Sequence, residues 1–149
     1  MERIEFGDIV QAYLRIVPQA EDVLRAIPDP PRSDFEAWPD KDSDLYDFLP
    51  MAFMHPILLP KLREDPVDRE TLDACFEFIE GLAMSRNTYV QGALYFEVYE
   101  QFLRGREILI RAYEFSRPVA RARIHEMLTR DYPGTLEKVR EDIEGRHES

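Results

Sequence analysis

Cysteine occurs once in the 149 residues, at Cys75, which excludes an internal disulfide and any multi-cysteine metal site. Its neighbours Ala74 and Phe76 are apolar, so Cys75 reads as a small core residue and not as a nucleophile. Glycine is sparse, six residues that never cluster, and neither a phosphate-binding loop nor a dinucleotide fingerprint can be assembled. The three histidines, His55, His125 and His147, are too few and too scattered to supply the Glu-x-x-His pairs that a dinuclear carboxylate bundle places on two helices. No Gly-x-Ser-x-Gly is present, and Ser85, Ser116 and Ser149 fall at expected helix ends or at the end of the sequence. No catalytic residue, metal site or cofactor is therefore assigned.

Basic residues are also short, 19 against 30 acids. The net charge of −11 disfavours general attraction to nucleic acid or to anionic lipid. The longest apolar stretch, around Leu49–Leu59, is brief and interrupted by Pro50, His55 and Pro56, so no membrane span is expected. MERIEFGDIV has no basic lead followed by an apolar run, and a cytoplasmic location is the expectation. Period-two alternation of the strand kind is missing throughout.

What is present is helical periodicity. An apolar share of 44% suits one domain, 1–149, with a real core. The spacings predict helices over 6–27 (re-started at Pro18), 45–64 (two short pieces, because Pro50, Pro56 and Pro60 forbid one regular helix), 67–84, 88–104, 106–115 and 118–130. Asp65-Pro66 is expected to cap the 67–84 helix, and Ser116 with Pro118 to start the 118–130 helix. A Pro-rich loop occupies 28–43, relieved only by Phe35, Ala37 and Trp38. A polar, peripheral helix is expected at about 135–145. The fold class is all-α, a single-domain helical bundle or a short stack of αα-hairpins.

Two helices carry most of the remaining information. In 67–84, Leu72, Cys75, Phe76, Ile79, Leu82 and Ala83 form the inward stripe, while Glu70, Asp73, Glu77 and Glu80 read as a solvated acidic edge. In 88–104 the apolar arc (Val90, Leu94, Val98, Phe102, Tyr95, Tyr99, Leu103, Phe96, Tyr89) exceeds half the circumference, which places that helix at the centre. Ala93, Glu97, Glu100, Gln101 and Arg104 form its narrow polar strip. Glu97 is the carboxylate expected to be partly buried, and Glu100 with Arg104 stands at ion-pair spacing. Between 104 and 130, seven arginines oppose three glutamates, either as intramolecular complements of the acidic helices or as a face for an acidic partner.

Phe76-Glu77-Phe78-Ile79-Glu80-Gly81-Leu82-Ala83, followed by Asn87-Thr88-Tyr89-Val90-Gln91-Gly92-Ala93-Leu94 and Glu97-Val98-Tyr99-Glu100, resembles the core of a group of small bacterial all-helical domains. Immunity proteins of bacterial toxin systems are found in that group. The Val-x-x-Ala step after Asn87 also resembles a single HEAT-type helical hairpin. The resemblance covers Leu45 to Leu128, implies a binding role and transfers no functional residue. The expected function is non-catalytic binding of another, basic protein, of the toxin-neutralising kind, with Trp38, Phe35, Glu97, Glu100 and Arg104 as candidate contacts. The alternative is a helical ligand-binding protein or small enzyme with an aromatic pocket around Tyr95, Tyr99 and Phe102.

Overall fold

A computed structural model describes residues 2–28 and 44–148, with backbone alone at 44 and 146–148. Every regular element in it is helical, and among the described residues there is no strand. Phe35 and Trp38 lie outside the described residues. In chain order the α-helices are α1 (Ile9–Ile16), α2 (Ala20–Ala26), α3 (Asp44–Phe48), α4 (Leu59–Arg63), α5 (Arg69–Ala83), α6 (Thr88–Leu94), α7 (Arg106–Phe115), α8 (Pro118–Asp131) and α9 (Pro133–Glu148). One contiguous apolar cluster runs through them from Ile4 to Val139.

The prolines of the 44–63 stretch do not split it. The backbone widens from α3 into a π-helical segment, Leu49–Leu58, and tightens again into α4. Proline lacks the N–H and crowds the carbonyl four residues back, and the wider i→i+5 register eases the crowding. Leu59 N–H accordingly donates to the Met54 carbonyl. The Ala52 carbonyl accepts from the phenol of the fully buried Tyr13, which ties this segment to α1.

The 88–104 stretch is likewise one rod of changing pitch: α6, then a π-helical segment (Tyr95–Tyr99), then a 3₁₀ segment (Glu100–Arg104). The change of pitch alters which side chains face inward. Ala93, expected on the polar strip, is fully buried, whereas Phe96, expected in the apolar arc, is exposed.

The expected centre also moves. It is α5 that packs against α1, α4, α6, α7 and α8. Gly81 makes part of this possible: a Cβ there would come within 2.6 Å of the Ile4 side chain, and its carbonyl accepts Ile4 N–H at 3.0 Å. Glu80 on this helix is buried, not solvated. Its two carboxylate oxygens accept the N–H groups of Val119 (2.8 Å) and Ala120 (2.7 Å), which open α8. Helix N-termini leave such donors unpaired and carry positive partial charge, so a carboxylate from a neighbouring helix suits the position. Ser116, expected as the cap, instead donates to the Tyr113 carbonyl.

Two other boundaries differ from expectation. Asp68, not Asp65, caps α5, accepting the Thr71 N–H at 3.1 Å. That backbone donor, joined by the Lys61 ammonium and the Thr71 hydroxyl, holds the Asp68 carboxyl down at about 2. The last helix begins at Pro133, whose fixed φ suits a first helical position. It is tied in by buried Val139 and by a forked Arg106–Asp142 pair.

Candidate binding face

The two π-helical segments touch each other. Along the first rod, Asp47, Met51 and His55 follow at intervals of four and all face solvent. Along the second, Phe96 is exposed and Glu97 and Glu100 are half-buried. Met51 and Phe96 are the two most exposed of the large apolar side chains described, at 55% and 51%. Burial is the ordinary fate of such residues in a chain with so large a core, and their exposure on touching segments is the informative exception. Departures from α-helical pitch of this kind concentrate at functional sites.

Glu97 lies in the middle of the face. Partial burial pushes its carboxyl up from the ordinary range, the like charge of Asp47 adds to this, His55 opposes it and Glu100 adds a little more. Asp47, His55 and Glu100 are therefore each close enough to be felt at Glu97, and exposed Met51 and Phe96 stand on the same two segments. A carboxyl whose pKa is raised on folding stabilises the folded state below its unfolded pKa and loses that contribution as pH rises through the folded value. At neutral pH ionised Glu97 is thus a net liability. Glu97→Gln should raise the thermal midpoint at pH 7 and leave it unchanged well below the carboxylate range, which parallel melting curves at the two pH values would show. A lower midpoint at pH 7 would remove this account.

Of the residues picked out by sequence, Glu97, Glu100 and Arg104 are brought together along one rod. The expected Glu100–Arg104 pair is not formed. Arg104 Nε donates to Gln101 Oε1 at 2.6 Å, and Gln101 Nε2 in turn donates to the Phe96 carbonyl at 3.1 Å. Asp47, Met51 and Phe96 escaped the sequence reading. Met51 was hidden inside an apolar run, and Phe96 fell on the wrong side of a wheel drawn at constant pitch.

The arginines of 104–130 mostly serve the fold. Arg106 pairs with Asp142, Arg111 donates to the Leu62 and Glu64 carbonyls at 3.1 and 2.5 Å, and Arg117 faces Glu77 at 3.8 Å. Arg121 donates to the Glu114 and Ser116 carbonyls and lies over the Tyr113 ring. The expected aromatic pocket is divided. Phe102 is buried in the core beside Phe76, with ring centroids 6.1 Å apart, whereas Tyr95 and Tyr99 line a cavity against α8. Cys75 is fully buried, and loss of solvent pushes its thiol up to about 12. Among the described residues no group of three His, Cys, Asp or Glu side chains is disposed to hold a metal ion, and no helix is long and apolar enough to cross a membrane.

Comparison with protein-family models, with curated proteins and with solved structures finds no match to this chain. The reading of this face rests on its own geometry.

Proposed function

We propose that the protein acts without catalysis, by stoichiometric binding of a basic protein partner through the face formed by Asp47, Met51, His55, Phe96, Glu97 and Glu100. One observation carries the reading: Met51 and Phe96 project into solvent from touching π-helical segments amid carboxylates. Burying a side chain of that size against a partner is worth about 1.5–3 kcal/mol. Surrounding carboxylates would steer a basic partner and penalise an acidic one. The net charge of −11 acts in the same direction at longer range. The resemblance to immunity-type domains makes a basic toxin domain, met in the cytosol, the first partner class to try.

The test uses the full chain as bait in a cell extract, beside the double variant Met51→Ser, Phe96→Ser. Because both side chains are exposed, the variant should melt close to the wild type. The expected result is a partner retained by the wild type and lost by the variant, with affinity that falls as salt is raised. Equal capture by both baits, or binding indifferent to salt, would overturn the proposal. Turnover of a small molecule with no partner recovered would favour the enzyme alternative.

A further inference from the structure

A second site adjoins that face, since the Tyr95 ring meets the Phe96 ring with centroids 5.1 Å apart, but it is built from other residues. Gln91, Tyr95 and Tyr99 recur at intervals of four along the 88–104 rod, and Arg123 and Arg130 stand two turns apart on α8. Together with Glu126 and Met127 they line a cavity of about 210 Å³. Tyr99 is 2% exposed, and its hydroxyl has no hydrogen-bond partner among the described residues. Buried hydroxyls are nearly always paired, so this one calls for a reason.

The donors and acceptors around it give one. Gln91 Nε2 is occupied by the Leu82, Ala83 and Ser85 carbonyls, the last at 2.7 Å. The Tyr95 hydroxyl donates to Asp131. Arg123 meets Glu126 only at 3.6 Å, and Arg130 meets Asp131 only at 3.5 Å, with its guanidinium over the Tyr95 ring. Each guanidinium has five N–H donors, and these contacts, with the Tyr95 hydroxyl that Arg130 also meets, leave several of them available. What remains is one unpaired phenol and two guanidinium groups, set against the single carboxylate of Glu126 in the lining. Two arginines in reach of one small volume suit a planar or tetrahedral group that accepts several hydrogen bonds at once. The volume is on the scale of a small polar group and below the roughly 300–1,000 Å³ usual for drug-sized ligands.

From this geometry we infer that the Tyr99–Arg123–Arg130 cavity binds a small oxyanion, the phosphate or carboxylate group of a small metabolite or of a modified side chain. Tyr99 donates from the buried side, and the two arginines supply charge from the solvent side, where their side chains are 52% and 60% exposed.

Calorimetric titration of the full chain with inorganic phosphate, O-phosphoserine and acetate, at ionic strength balanced with sodium chloride, tests the inference. Saturable binding of at least one is expected. Preference for phosphate over acetate would identify a tetrahedral group, the reverse preference a carboxylate, and preference for O-phosphoserine over phosphate a modified side chain. Tyr99→Phe should weaken binding at least about ten-fold, the value of one hydrogen bond to a charged group. Its melting midpoint without anion should stay level or rise, because an unpaired buried hydroxyl has been removed. Arg123→Gln should weaken binding comparably. The inference is overturned if none of the three anions binds, if binding survives Tyr99→Phe, or if Tyr99→Phe alone melts markedly lower, since the hydroxyl would then have its partner within the fold.

Discussion

Leu94→Ala should lower the stability of the protein by about 2–5 kcal/mol and its thermal midpoint by roughly 5–15 °C. Leu94 is fully buried at the junction of α6 with the π-helical segment, between Val90 and Val98, which are fully buried too. Removing its isobutyl group takes away the transfer free energy of burial and leaves a cavity that the surrounding helices close only in part. Such a loss is a large part of the 5–15 kcal/mol that usually separates folded from unfolded states. Urea titration by circular dichroism would measure it. An unchanged midpoint with an unchanged slope would show that this part of the rod is not core.

Glu80→Ala is expected to cost about 3 kcal/mol, more than a surface carboxylate could. Two backbone donors at the start of α8 would lose a charged acceptor, and the positive end of that helix would lose its nearest compensating charge. Glu80→Gln should recover part of the loss. Its amide oxygen can accept one of the two N–H groups, while its amide nitrogen meets the other donor to donor. The effect should also be local. Native-state hydrogen exchange at Val119 and Ala120 should quicken beyond what the global loss explains. If Glu80→Ala left both the midpoint and those two amides unchanged, the cap would have no energetic part in the fold.

How far the sequence could be read is clearest at these residues. Leu94, Val98, Phe102, Phe76 and Ile79 were all expected inside, and all are buried. Their spacing reports the helix that holds them, because an apolar stripe must find another stripe whatever the order of packing. Glu97 was legible as a partly buried carboxylate for the same reason. Glu80 was not. Its spacing matches that of the solvated Glu70 and Asp73, and only the approach of α8, some forty residues later, distinguishes it. Phe96 and Ala93 exchange places because the rod changes pitch at Tyr95, which a helical wheel of constant angle cannot represent. The candidate face was half legible: Glu97, Glu100 and Arg104 share one rod, but Asp47 and Met51 reach them only through contact between two segments far apart in sequence.

Composition and periodicity alone determined that the chain is all-α, which side chains form most of its core, and that its charge suits a basic partner better than a nucleic acid. Those properties depend on residue type and on neighbours within a few positions, so they survive any arrangement of the helices. The tertiary structure decided which helix stands at the centre, where the prolines of 44–63 are absorbed, and that Glu80 caps a helix it does not belong to. It also decided that Arg106 is matched by Asp142, Arg111 by the Leu62 and Glu64 carbonyls, and that the Tyr99 hydroxyl has no such match among the described residues. A hydrogen bond or ion pair between distant residues is made only when packing brings donor and acceptor within about 3 Å, and nothing in their spacing along the chain encodes that distance.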